Sequence, residues 1–314
     1  MEIKLKNQLE KSEIHQIELE LTGTCNLRCP LCTRSYKNAQ HLLKYNERPL
    51  SEIIAQLDEY PNIKNCCMAG IISEPTLYKD FFRLIQYLVG RGIELEIYSN
   101  ASLHSKEWWA KLATLLTPQD RVFFTICGST QELHEKYRVG SSLNKILENH
   151  QAFKEACPHP IDCIQYIRFD YNDDDYDSPA SLEIRSRFSR ECNIDTLPYN
   201  ERFGFITDES NRIKMTADLA RAYQLISTFG RNRYEQNKIG AIKCTMNCKS
   251  FESRFIAIDQ FGTITPCFLY RIYNTDEKFN LDYEKIHGFK YNFCYECESK
   301  TNHLLEQSKL QRMG

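Results

Sequence analysis

Three cysteines, Cys25, Cys29 and Cys32, stand in "LTGTCNLRCPLCTRSY" at a C-x3-C-x2-C spacing. Three thiolates suit a [4Fe–4S] cube, because they hold three irons and leave the fourth open to an outside ligand. Soft thiolates also suit zinc, which would want a nearby fourth ligand, and His41 is the only close histidine. The chain carries 14 cysteines in all, with five more between 244 and 297. A reducing compartment disfavours disulfides, so metal binding is the natural use of the clusters. The scattered Cys66, Cys67, Cys127, Cys157, Cys163 and Cys192 read as small buried hydrophobes.

The elements that must position the triad alternate between strand and helix from residue 16 to about 197. "QIELELT" (16–22) is a strand ending just before the triad. "LSEIIAQLDEY" (50–60) has helical spacing, "IKNCCMAG" (63–70) reads as a strand, and "YKDFFRLIQYLVGRG" (78–92) as a helix stopped by glycine. Strands follow at 93–100, 120–128 and 161–169, a sixth at 193–199, and helices at 105–116, 143–156 and 179–190. Such β-then-α units predict parallel strands covered by helices, with ligand-handling loops at the carboxyl ends of the strands. The triad follows the first strand directly, so it falls on that face. Residues 200–243 are less regular, with one helix near 216–229, and "SRFIAIDQFGTITPCFLY" reads as two short strands around a glycine turn. A terminal helix is expected in the tail.

C-x3-C-x2-C directly after the first strand of a β/α unit resembles the motif of the radical S-adenosylmethionine (radical SAM) superfamily. The resemblance implies an α/β fold, a partial (β/α)6 barrel over residues 16–200. It implies a [4Fe–4S] cluster whose open iron is chelated by the amino and carboxylate groups of SAM. Reductive cleavage of SAM to a 5′-deoxyadenosyl radical and hydrogen-atom abstraction from a substrate would follow, with an external one-electron reductant such as flavodoxin or ferredoxin. "AGIISEPTLY" resembles the Gly-Gly-Glu-Pro stretch. Gly70 would give close backbone approach and Glu74 would accept from the SAM ammonium, with Ser73 where glycine is usual. "YSNAS" resembles Thr-Asn-Gly, which places Ser99 and Asn100 at the SAM ribose. "TICGSTQELHEKYRVG" resembles a stretch of the subgroup with cysteine-rich extensions, so Arg138 is a candidate for the SAM carboxylate. Cys127 stands where that subgroup often has Asp, and Leu31 where an aromatic residue is usual. Cys127 would either donate a hydrogen atom to a substrate radical or pack at the strand end.

Cys248, Gly262 and Cys267 resemble the C-x9–15-G-x4-C element of SPASM and twitch domains. The short twitch form implies a small β-hairpin-containing domain over 239–314, joined by a bridging segment, 201–238, with 1–15 as an N-terminal extension. One auxiliary [4Fe–4S] cluster on Cys248, Cys267, Cys294 and Cys297 is implied, with Cys244 a fifth candidate. No cysteine follows Cys297, which favours twitch over the two-cluster form. A hairpin can bring Cys248 and Cys267 together, and a four-thiolate zinc site is the alternative.

Lys plus Arg is 40 against Asp plus Glu at 42, so no basic field argues for nucleic acid. No apolar run argues for a membrane and no signal peptide is visible, so a cytoplasmic protein is expected. Substrate-facing loops should follow strands five and six, with Asp170, Tyr171, Asn172, Glu201 and Arg202 able to bind a polar substrate. The substrate is a ribosomally made peptide, the commonest task of the cysteine-extended subgroup, or a small polar molecule such as an aminocyclitol or sugar. About 15 residues precede the first strand, so a leader-peptide-binding partner would be a separate protein. A non-catalytic zinc scaffold would leave the SAM-like motifs unexplained.

Overall fold

A computed structural model describes residues 10–30, 32, 34, 43, 47–70, 72–192 and 255–265. Cys244, Cys248, Cys267, Cys294, Cys297, Glu201 and Arg202, with Leu31, His41 and the helices expected at 216–229 and in the tail, lie outside them.

The strands are β1 Gln16–Leu19, β2 Asn65–Met68, β3 Glu94–Ser99, β4 Arg121–Ile126, β5 Asp162–Tyr166, β6 Arg190–Glu191, β7 Phe255–Ile258 and β8 Ile264–Thr265. They form one sheet in the order β6-β5-β4-β3-β2-β1-β7-β8. Among the described residues the first seven run parallel, and β8 is antiparallel on β7. Parallel neighbours need a crossover, and helices supply it. These are α1 Leu50–Asp58, α2 Phe81–Gly90, α3 Lys106–Ala113, α4 Gln131–Tyr137, α5 Leu143–Ala156, α6 Asp173–Tyr176 and α7 Pro179–Ser186. In α2, Phe81, Leu84, Ile85 and Leu88 are the buried residues, the apolar stripe of an amphipathic helix. These side chains share one core with alternate strand residues, including Ile17, Leu19, Met68, Leu95, Ile97, Phe124 and Ile164.

The glycine-turn hairpin forms around Gly262 at φ 81. Its first strand joins the main sheet, where Gln16 faces Phe255 and Leu19 faces Ile258. The sixth strand pairs at Arg190–Glu191, ahead of the expected 193–199, which lies outside the described residues. This short edge strand pairs through its backbone and carries no apolar pattern to announce it. Helix α4 was not expected; its sequence QELHEKY is polar, and Thr130 caps it by accepting from the Leu133 N–H at 3.2 Å. No helix of the described residues is long and apolar enough to cross a membrane.

Candidate functional site

The loop after β1 crosses the carboxyl ends of the strands and is fastened at several points. The Glu74 N–H donates to the Thr24 carbonyl at 2.9 Å, and the Arg28 N–H to the Val139 carbonyl at 3.0 Å. The Arg34 guanidinium donates to the Gly23 carbonyl at 2.7 Å and also to the Ile72 carbonyl. Cys25, Cys29 and Cys32 are free thiols on this loop. Burial pushes Cys25 up to about 12 and Cys32 up to about 11, so metal binding there must displace protons. Among the described residues no three His, Cys, Asp or Glu side chains converge as one metal ion requires. A zinc ion draws every thiolate to about 2.3 Å of one centre, whereas a cube takes one thiolate per iron. Three thiolates on one loop match the three protein ligands of a cube that keeps one iron open.

The loop after β2 starts at Gly70, whose φ of +59 places it in the left-handed region. A Cβ there would meet the Ser73 carbonyl oxygen at 2.4 Å, so only glycine fits. Ser73 turns its hydroxyl to the buried Glu20 carboxylate, which also accepts from the Ile72 N–H at 3.4 Å. That bond houses the serine found in place of the usual glycine. Glu74 is 3% exposed. One of its oxygens accepts from the Ser99 and Thr76 hydroxyls, both at 2.7 Å, and the other from the Asn100 N–H at 2.9 Å. Burial still holds its pKa above the usual carboxylate range in spite of these donors. A buried carboxylate in that condition is suited to a cation such as the SAM ammonium.

Ser99 and Asn100, the residues expected at the SAM ribose, also support Glu74. The Ser99 hydroxyl is occupied by Glu74 and by the Ala101 N–H at 2.9 Å. The Asn100 amide is engaged by Asn26 and Ser102. The Ser99 hydroxyl and the Asn100 N–H both hold Glu74 in place. Ala101, standing where the resembling motif has glycine, takes φ 52 and is buried.

Arg138 ends α4 beside the triad. Its Nε is buried with no hydrogen-bond partner among the described residues. Burial works against its charge, but the neighbouring Cys127, Cys29 and Tyr137 hold its pKa above the ordinary value. An orphaned guanidinium N–H here fits an incoming carboxylate. Cys127 is fully buried at the end of β4 and shares a hydrogen bond with Arg138. His134, also fully buried, orients this corner. The Cys127 N–H donates to His134 Nδ1 at 3.2 Å, so Nε2 carries the proton and donates to the Ser141 hydroxyl at 2.9 Å. Burial, aided by the Arg138 charge, pushes His134 down to about 3, so the ring is neutral. Gly128 lets α4 approach, because a Cβ there would meet the His134 backbone nitrogen at 2.6 Å.

Of the substrate candidates, Asn172 is corrected by the structure. It is fully buried, its NH2 donates to the Cys127 and Ile167 carbonyls at 2.8 and 3.0 Å, and its oxygen accepts from the Phe169 N–H at 2.6 Å. These bonds use its amide to fasten the loop after β5 to the end of β4. Tyr171 stacks on Phe169 at 5.4 Å under the Lys136 ammonium, and Asp170 begins the same turn, Asp170–Asn172.

Sequence reasoning missed the face of the sheet opposite the core. Glu18 lies level with Cys67 on β2 and Ala257 on β7, Cys67 with Glu96, and Glu96 with Arg121. Burial pushes Glu18 up to about 7. The available signal was the Glu18 and Glu20 pair at the polar positions of "QIELELT", which a solvent-facing strand displays equally well.

Residues 19–176 match the model of the Radical SAM superfamily. Among curated proteins, the chain is 29% identical over 109 residues to the tungsten-containing aldehyde ferredoxin oxidoreductase cofactor-modifying protein of Pyrococcus furiosus, covering 34% of this chain and 29% of that one. It is 25% identical over 142 residues to the AdoMet-dependent heme synthase of Oleidesulfovibrio alaskensis, covering 45% and 35%. The matched stretches thus span only about a third of those relatives. Among solved structures, Streptococcus suis SuiB bound to precursor peptide SuiA superposes with a TM-score of 0.60 at 17% identity, over 91% of this chain and 69% of that one. The anSMEcpe structure with bound AdoMet and Cp18Cys peptide gives 0.53 at 16%, over 90% and 86%. At these identities the likeness is one of fold.

Proposed function

The chain belongs to the radical SAM superfamily and is an enzyme of that class, and from this premise we propose that it uses hydrogen-atom abstraction to modify a ribosomally synthesised peptide. The observation that carries the site assignment is the joining of four strand ends. The thiols after β1, Glu74 after β2, the Ser99–Asn100 segment closing β3 and Arg138 beyond β4 are tied into one hydrogen-bonded and electrostatic assembly.

A [4Fe–4S] cluster and SAM, which membership implies, supply radical chemistry when bound. Cys25, Cys29 and Cys32 would hold the cluster. Glu74 would accept from the SAM ammonium, held by Ser99, Thr76 and the Asn100 N–H, and Arg138 would meet the carboxylate. The loop fastened by Arg34 would help keep these groups at fixed separation. Cys127, sealed from solvent and bonded to Arg138, is supported as a packing residue more than as a hydrogen-atom donor. An auxiliary cluster on Cys248, Cys267, Cys294 and Cys297, with Cys244 as a spare, stays part of the proposal. So do a flavodoxin or ferredoxin reductant and a separate leader-peptide-binding partner.

Support for a peptide substrate comes from the fold, which is shared with SuiB and anSMEcpe in complexes with peptides. A small polar substrate is the second reading; the two curated relatives are named for a cofactor and for heme. The test is anaerobic reconstitution, then incubation with SAM, dithionite and either precursor peptides or small polar metabolites. Release of 5′-deoxyadenosine that a peptide accelerates, with a mass change on that peptide, supports the first reading. Acceleration by a metabolite alone replaces it with the second, and absence of 5′-deoxyadenosine from iron-loaded protein removes both.

A further inference from the structure

We propose that Asn26 is a positioning residue: through a closed hydrogen-bond ring with Asn100 and Ser102 it aims an amide N–H at Cys25 and so raises the reduction potential of the cluster. The inference rests on the assignment of the cysteine triad to that cluster.

The orientation of each group follows from what it can donate. The Ser102 backbone N–H can only donate, and it meets Asn100 Oδ1 at 3.1 Å. The Asn100 NH2 therefore lies on the other side of the amide. One of its N–H bonds goes to Asn26 Oδ1 at 2.9 Å, and Cys25 Sγ lies 3.9 Å from the same nitrogen. With its oxygen accepting, Asn26 presents its NH2 to the Ser102 hydroxyl oxygen at 3.2 Å. That hydroxyl returns its own proton to Asn100 Oδ1 at 2.8 Å. Flipping either amide would set donor against donor, so the ring has one consistent arrangement.

The ring is built on a strained segment. Ala101, between Asn100 and Ser102, takes φ 52, a conformation that L-residues rarely adopt. Two bonds hold it there: its N–H donates to the Ser99 hydroxyl at 2.9 Å, and its carbonyl accepts from Asn149 at 2.8 Å. Such strain persists where the surroundings over-determine it, and it recurs at functional sites. Asn100 is 4% exposed and Ser102 9%, so water is a poor substitute for the ring.

The consequence falls on one sulfur. Cys25 Sγ faces the Asn100 amide and also accepts from the Leu27 N–H at 3.4 Å. Reduction adds an electron to a cluster whose charge is shared by its thiolate ligands. N–H donors at a ligand sulfur favour that extra negative charge and raise the potential. Asn26 acts without touching the sulfur itself: by accepting from the Asn100 NH2 it holds in place the amide whose end the Ser102 N–H has already selected.

The experiment compares reconstituted full-length protein with its Asn26→Ala and Ser102→Ala variants. Iron and sulfide are quantified, and the midpoint is read by potentiometry followed by electron paramagnetic resonance, without SAM. Both variants should keep the parental iron and shift the midpoint to more negative potential. Because they open the same ring, the double variant should shift no further than the larger single shift. An unchanged midpoint at full iron content overturns the proposal. If one variant takes up no iron the other decides; if neither does, the ring is a folding element and the proposal falls. Failure of the parent protein to take up iron is a different outcome and overturns the cluster assignment itself.

Discussion

Glu74 and Asp162 are both buried carboxylates, placed at opposite ends of the parallel sheet. Asp162 opens β5 at the amino end, and Glu74 follows β2 at the carboxyl end. Burial would raise either one. At Asp162 it is outweighed by bonds from His150 at 2.8 Å and from the Ser189 hydroxyl and N–H, which hold the pKa below the usual range. At Glu74 burial prevails even against four donors, none of them charged. The difference teaches how to tell a structural carboxylate from a binding one. Asp162 has a countercharge within the chain, the Lys154 ammonium at 3.8 Å, whereas Glu74 is left to receive one from a ligand.

The largest effect that separates the two ends should come from the triad. Replacing Cys25, Cys29 and Cys32 together by alanine should abolish SAM cleavage and remove about four irons per chain, with the fold retained by circular dichroism. A triple variant that keeps its full iron content would dissolve the assignment on which the comparison stands. At the other end, Asp162→Ala leaves the buried His150 without its acceptor and should cost about 1–3 kcal/mol in denaturant unfolding. Its residual folded fraction should still bind SAM normally; impaired SAM affinity would mean that the ends are coupled.

Glu74→Gln should move stability and binding in opposite directions. The Ser99 and Thr76 hydroxyls can rotate to accept from the new amide, so the fold tolerates it. Loss of a charge-assisted bond worth about 1.5–3 kcal/mol should weaken SAM binding by roughly ten- to a hundredfold, as calorimetry would measure. Without SAM, the folded pKa of Glu74 is raised, so its favourable contribution is complete below the unfolded value of about 4.3 and is lost as pH rises through the folded value. Wild-type stability relative to Glu74→Gln should therefore fall over that rise. Asp162, with a lowered folded pKa, stabilises above about 3.9 and loses that contribution as pH falls through its folded value. Parallel pH profiles for Glu74→Gln and Asp162→Asn relative to wild type would erase the distinction. The smallest effect belongs to Ala101→Gly, which relieves the positive φ at the cost of unfolded-state entropy and should stabilise by up to about 1 kcal/mol. A loss of stability would show that the methyl group, buried at 1% exposure, packs more than it strains.

Much of this organisation was legible in the chain itself. The triad spacing, the first five strands and the helices between them follow from local pattern, because hydrophobic periodicity and glycine stops are local properties. Glu74 was reachable through its motif. Asn172 was misjudged because an Asn in an acidic loop looks solvated, and only the folded loop reveals that backbone groups claim its amide. Helix α4 was overlooked because its seven residues carry little apolar signal, although it delivers Arg138 to the site.

The sequence by itself determined which chemistry is present: three thiols at cluster spacing, a glutamate after the second strand, an arginine after the fourth. Only the tertiary structure decided what each group does. It set Asn26 from the first loop against Asn100 and Ser102 from the third, joined β7 to β1, and turned Glu18 onto the face opposite the helical core. The physical reason is one of range. Spacing and periodicity act over a few residues, whereas burial and hydrogen-bond pairing depend on groups that are distant in sequence and meet only when the strands align.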